Sequence, residues 1–272
     1  MNAIKVGKTI AFLRNRYNMT QKQLAGYLGV SDKAVSRWER GVGLPDVSLL
    51  VHLAVLLDID VESLLEGNLT ENDRSWAGAL LLDYPSGLNP MSLLYDKPLL
   101  EYSLSYIMLA GISDVYIWRM GHSEADEWLG DGDSYGIDVR WQDGDFSLAS
   151  LWSTVPDNQQ VMLLTWPEFI YAKDLSRTFR RVLYGEKISC QLTDFLGRDI
   201  PIRFLWRDCH EELERVKLER GTLAFPVDDY DSLLQASHIA AIARTRMGED
   251  IANLYEIAEN RGMLSKQRHG GK

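Results

Sequence analysis

The chain has two cysteines, Cys190 and Cys209, too far apart for a C-x-x-C pair and too few for a disulfide framework. Both are expected to be reduced thiols, and no metal site or cofactor is implied. No uncharged apolar run approaches the roughly 18 residues that cross a bilayer, and "MNAIKVGKTIAFLRNRYN" lacks the apolar segment of a signal peptide. The expectation is a cytoplasmic protein without membrane contact. No G-x-x-x-x-G-K-[ST], H-E-x-x-H or G-x-S-x-G pattern occurs, which removes the P-loop, zinc-protease and serine-hydrolase readings. The histidines at 52, 122, 210, 238 and 269 are scattered; His52 and His238 fall within helical patterns, as packing or surface residues.

What is present is ordinary globular composition, 46% hydrophobic and 25% charged over 272 residues, enough for two domains. The charge is unevenly placed. Residues 1–45 hold eight Lys and Arg against two Asp and Glu, a net +6, so a chain of −10 overall carries −16 in the remainder. A basic head on an acidic body is the asymmetry expected when one end meets a polyanion.

The head reads as short helices over residues 4–66. Val6, Ile10, Leu13 and Tyr17 recur at the helical period, with Lys5, Lys8, Arg14 and Arg16 off that stripe. Thr20 caps "QKQLAGYL", which stops at Gly29; Ser31 opens "DKAVSRWER", which ends at Gly41; Pro45-Asp46 starts "VSLLVHLAVLL"; and "VESLLE" closes at Gly67.

The stretch "TQKQLAGYLGVSDKAVSRWERG" resembles the helix-turn-helix of Cro and phage repressors, the XRE family, with Leu24, Ala25, Gly29-Val30, Val35 and Trp38 where that family packs its two helices. The resemblance implies a second helix free to enter a major groove of double-stranded DNA. Its contact residues would be Ser31, Asp32, Lys33, Ser36 and Arg37, with Gln21 on a phosphate or flanking base. Lys33 or Arg37 suits guanine O6 and N7, and Asp32 a cytosine amino group. Arg14 and Glu39 match a structural ion pair of the family.

After a polar linker, 68–75, the period changes. "WAGALLLDY" is a strand, "LLEYSLSYIMLAG" an amphipathic helix and "ISDVYIW" a second strand, a βαβ unit. "YGIDVRWQ" and "VMLLTW" add strands, and "YDSLLQASHIAAIARTRMG" a long late helix. The expected architecture is multidomain: an all-α five-helix head over 1–67, an α/β, Rossmann-like mixed-sheet body over 76–265, and a frayed tail, 266–272.

"YDKPLLEYSLSYIMLAGISDVYIW", "LGDGDSYGIDVRWQ" and "DSLLQASHIAAIARTRMGEDIANLYEIAENRGML" resemble sugar nucleotidyltransferases, particularly glucose-1-phosphate thymidylyltransferases. That reaction needs fixed cations around the phosphates. The family's A-G-G-x-G-T-R loop is here Leu82-Asp83-Tyr84-Pro85-Ser86-Gly87-Leu88, without the Thr-Arg pair, and the segment before Tyr95-Asp96-Lys97-Pro98 is too short for the lysine that normally follows. One metal-binding Asp falls at Thr165, Trp166 or Pro167, with Glu168 the nearby rescue; the second falls at Pro226, with Asp228 and Asp229 reading as a solvated turn. Losing one preorganised stabiliser typically costs about 10²–10³ in rate. The body is therefore expected to keep the fold without catalysis.

Such a frame could sense a nucleotide or nucleotide sugar through Leu82, Ser86, Gly87 and Gln142, the last matching the family's base-reading glutamine, although Ser147 stands where the family has glycine. Alternatively the body is a scaffold that holds two heads together as a homodimer, or, third, a working transferase.

Overall fold

The computed structural model describes residues 2–16, 19–57, 59, 61–66, 75–84, 87–165, 167–172, 175–183, 188–207, 213–218, 220–261 and 263–264. The chain divides into two compact units, Met1–Asn72 with Asn260–Gly262, and Asp73–Glu259 with Met263–Lys272.

The first unit is helical: α1 Ala3–Arg16, α2 Gln21–Leu28, α3 Asp32–Glu39, α4 Val47–Leu56 and α5 Val61–Glu66. Its boundaries follow from capping. The Thr20 hydroxyl accepts from the Gln23 amide while the Gln23 side chain accepts from the Thr20 amide, which satisfies two orphan donors at the start of α2. Gly29 ends that helix at φ 65°, a left-handed conformation that costs glycine nothing. Ser31 then accepts from Ala34 N to start α3. Between α2 and α3 only Gly29, Val30 and Ser31 remain, so the second helix is fixed across the first. Val6, Ile10 and Leu13 close a core with Leu24, Leu28, Val35, Trp38, Leu53 and Leu64. Tyr17, the fourth member of the expected stripe, lies outside the described residues.

The second unit runs β1 Ser75–Leu81, β2 Leu93–Leu94, β3 Lys97–Pro98, α6 Leu99–Leu109, β4 Asp114–Trp118, α7 Glu124–Leu129, β5 Asp138–Gln142, α8 Leu148–Thr154, β6 Gln159–Leu164 and β7 Glu168–Tyr171. It continues through α9 Leu175–Leu183, β8 Cys190–Thr193, β9 Asp199–Leu205, β10 Glu214–Lys217, β11 Leu223–Pro226, α10 Tyr230–Ile242 and α11 Leu254–Asn260. A π-helical turn, Ala243–Met247, prolongs α10. Seven strands form one mixed sheet in the order β10-β8-β9-β6-β1-β4-β5, with β9 antiparallel to both neighbours. The other pairs, β1 with β4 and β6, β4 with β5, and β8 with β10, are parallel.

Alternation along β1 sorts the faces. Leu80 and Leu82 pack with Leu100, Leu104 and Ile107 of α6 and Phe179 of α9, whereas Ala77, Ala79 and Leu81 pack with Leu151 of α8. Gly78 lies on the α6 side because a Cβ there would come within 2.6 Å of Ile107 Cγ2. A third cluster joins Phe169 and Val227 to Leu233, Ala236 and Ala240 of α10 and Tyr102 of α6. β1 leads through α6 on one face, whereas α8, on the opposite face, enters β6 at its amino end, so the connections diverge between the neighbouring strands β1 and β6. In open α/β sheets that divergence opens a crevice.

Candidate functional site

On α3, Val35 and Trp38 are buried while Asp32, Lys33 and Arg37 are exposed and Ser36 is half-buried. Lys33, Ser36 and Arg37 thus share one side of the helix, at i, i+3 and i+4. Among the described residues neither Lys33 nor Arg37 makes an ion pair, so both charges remain available. Three other sequence-selected residues already have intramolecular partners. The Ser31 hydroxyl caps α3, and Asp32 Oδ1 accepts from the Lys33 amide at 2.8 Å. Gln21, assigned from the sequence to DNA, spends its side-chain nitrogen on Glu39 Oε2 at 2.7 Å.

Glu39 is the centre of that network. Arg14 Nε and Nη2 donate to its two oxygens at 2.5 and 3.1 Å, and Arg14 Nη1 donates to the Met19 carbonyl at 2.5 Å. The two side chains are 11% and 7% exposed, so the pair ties α1 to the end of α3 below the exposed face.

In the body, the sequence assigned Leu82, Ser86 and Gly87 of the loop after β1, and Gln142, to a ligand. Leu82 is fully buried in the main core and its amide donates to Trp118 O, so its side chain is a core residue. Ser86 lies outside the described residues. Gly87 takes φ 91°, and its carbonyl accepts from the Tyr230 hydroxyl at 2.6 Å. Tyr84 turns inward, bonding Ser103 and meeting His122 edge-on at 5.8 Å. Gln142 ends β5 half-buried and donates to the carbonyl of Arg140 in its own strand at 3.3 Å. Ser147, which stands where the family has glycine, is the N-cap of α8 in a reciprocal box with Ser150. The preceding Phe146 packs edge-on against Trp118 at 5.2 Å.

The two expected metal positions converge, since Pro226 lies opposite Glu168 in the pairing of β11 with β7. Their chemistry does not fit a dication. Glu168 is 4% exposed and receives Arg198 Nη2 at 2.5 Å, while Arg198 Nε also holds Asp194 at 3.2 Å. Burial raises the Glu168 carboxyl to about 7, an effect the guanidinium only partly offsets. Asp229 caps α10, accepting from Ser232 N at 2.7 Å, a bond that holds its carboxyl below the ordinary range; Asp228 accepts from the Ser232 hydroxyl at 3.2 Å. A magnesium ion here would have to displace Arg198 and uncap a helix. Among the described residues, no group of three or more His, Cys, Asp or Glu is placed to hold a metal. Lys97 is likewise committed, to Asp250 at 2.5 Å. Arg198 is the residue sequence reasoning missed, because 30 positions separate it from Glu168 and no motif links them.

The geometry defines a helix-turn-helix domain joined to a nucleotidyltransferase-like α/β domain. Residues 10–64 match the helix-turn-helix family model. Over 55 residues the chain is 40% identical to the HTH-type transcriptional activator BcrR of Enterococcus faecalis, covering 20% of this chain and 27% of that protein. Over 68 residues it is 37% identical to a glucose-1-phosphate thymidylyltransferase of Xanthomonas campestris pv. campestris, covering 24% and 23% respectively. The chain thus spans about a quarter of the length of these two relatives. A solved Bacillus anthracis structure assigned as a glucose-1-phosphate thymidylyltransferase, in complex with a sucrose, superposes with a TM-score of 0.51 at 11% identity, over 61% of this chain and 95% of that one. At that identity the likeness is one of fold. No helix among the described residues is long and apolar enough to cross a membrane.

Proposed function

We propose that this chain is a sequence-specific DNA-binding transcriptional regulator, acting as a homodimer, whose nucleotidyltransferase-like body does not transfer nucleotides. The observation that carries the DNA reading is the uncommitted pair Lys33 and Arg37 on the exposed side of α3, in a segment of net charge +6. Either side chain can donate two bonds to a guanine edge. The inactive body is supported by Arg198, which stands as a fixed cation on the buried carboxylate of Glu168, near the expected metal position.

For the body, the proposed role is sensing a nucleotide or nucleotide sugar in the crevice at the carboxyl ends of β1 and β6. Support comes from Met120, which holds φ 50° in the turn after β4, beside that edge; strained backbone of this kind clusters at ligand sites. A second reading, a dimerising scaffold, is favoured by an apolar face on α10.

Selection from random duplexes tests the DNA reading. Enriched sites should carry paired half-sites spaced by multiples of roughly 34 Å. Lys33→Ala or Arg37→Ala should cost about 1–3 kcal/mol at particular base pairs and blur preference there. Gln21→Ala, which removes one of the three donors on Glu39, should weaken all sequences alike. Head variants that bind every duplex as well as the wild type would remove the assignment.

A further inference from the structure

We propose that the outward face of α10 is the contact through which two copies of this chain pair, antiparallel about a twofold axis at His238. The helix turns Leu233, Ala236 and Ala240 inward. On its opposite side Leu234 and Ile242 are each 56% exposed with His238 exposed between them, while Tyr230, whose hydroxyl bonds Gly87 O, and Met247, whose sulfur meets the Tyr171 hydroxyl, lie on its flanks. Isolated exposed apolar residues are ordinary, but these two stand symmetrically about His238 on one helix face. At about 100 Å² each they supply on the order of 200 Å² per protomer. A standard interface buries about 800 Å² per partner, somewhat more than half of it apolar, so these two side chains supply roughly half of that apolar content and place it at the centre of the contact.

The charge pattern selects a second copy as the occupant. Asp231 lies at the start of the helix and Arg246 in its last turn, both exposed, and among the described residues neither is ion-paired. About an axis at His238, Leu234 lies four residues before and Ile242 four after, so each meets the other across the pair. Asp231 lies seven before and Arg246 eight after, which brings each against its opposite charge on the partner. Parallel packing would set like against like. An isologous contact requires this self-complementarity. Two bodies of net charge −10, counted over residues 76–272, would otherwise repel each other. The use of the contact, presenting two heads to two half-sites, rests on the regulator reading; the contact itself does not.

Sedimentation equilibrium of the full chain without DNA tests it. The wild type should be a dimer at micromolar concentration. Leu234→Asp or Ile242→Asp should raise the dissociation constant roughly 100-fold or more, because each substitution strikes the interface twice and every 1.4 kcal/mol is a factor of ten. Asp231→Arg and Arg246→Asp should each weaken pairing, and the two together should restore it, an outcome that loss of folding cannot produce. In a Cys209→Ser background, His238→Cys should cross-link to its own copy on oxidation. A monomeric wild type, or a dimer that neither Asp variant weakens, overturns the proposal. A dimer that ignores DNA would fail the regulator reading instead and leave this one standing.

Discussion

Replacing Arg14 by alanine isolates the network under the DNA-reading face. The change removes two of the three donors on Glu39, leaving a carboxylate 7% exposed with only Gln21 Nε2 at 2.7 Å. Breaking a buried ion pair from one side typically costs about 3–5 kcal/mol, because a desolvated charge is left uncompensated. A domain of some 65 residues at about 0.05–0.15 kcal/mol per residue has roughly 3–10 kcal/mol in total. Arg14→Ala should therefore bring the head close to unfolding while the body, whose clusters share no residue with the head's core, keeps its stability. Hydrogen exchange read peptide by peptide separates the two units. The companion Arg14→Met with Glu39→Leu should recover most of the loss, since apolar replacement of both partners removes the stranded charge. The reasoning fails if head amides in Arg14→Ala open within about 1 kcal/mol of wild type, or if the double variant is no better than the single one.

Glu168 gives the body a pH signature. Its folded value of about 7 lies above the ordinary 4.5, so its contribution to stability is fully present below about 4.5 and lost as the pH rises through about 7. The difference is on the order of 3 kcal/mol. Urea midpoints of the body should fall between pH 5 and 8, and Glu168→Gln should flatten that fall; equal slopes in both proteins would contradict the assignment. Gly78→Val should destabilise the body by about 1–3 kcal/mol through overpacking against Ile107, and a unit that tolerates it would refute the close helix–strand approach. Calorimetry with thymidine and uridine nucleotides should show binding that Gln142→Ala abolishes, whereas no heat with any nucleotide removes the sensing role.

Much of the head was legible because its signals are local. Thr20, Gly29 and Ser31 act within four residues of themselves, and the structure places the caps and turn where the sequence puts them. The βαβ start of the body was legible for a similar reason, an apolar run of strand length at β1 followed by the helical period of α6. The linker reading ran one residue long, since Ser75 already pairs with Gln159. What escaped was non-local. The packing of β7 against β11, the antiparallel β9 and the Arg198–Glu168 bond join residues by fold, not spacing. Ser147 shows the intermediate case: the family resemblance marks it only as a side chain where that family has glycine, whereas its Ser-x-x-Ser spacing to Ser150 carries a helix-start signal. Cys190 is buried and reduced, and Cys209 lies outside the described residues.

A carboxylate already held by Arg198 should leave this fold no phosphate chemistry. Incubating the full chain with magnesium, nucleoside triphosphates and sugar 1-phosphates, and following pyrophosphate, tests that directly. Release no faster than in the protein-free control is the predicted result. Pyrophosphate produced in proportion to protein, and lost in Glu168→Gln, would contradict it.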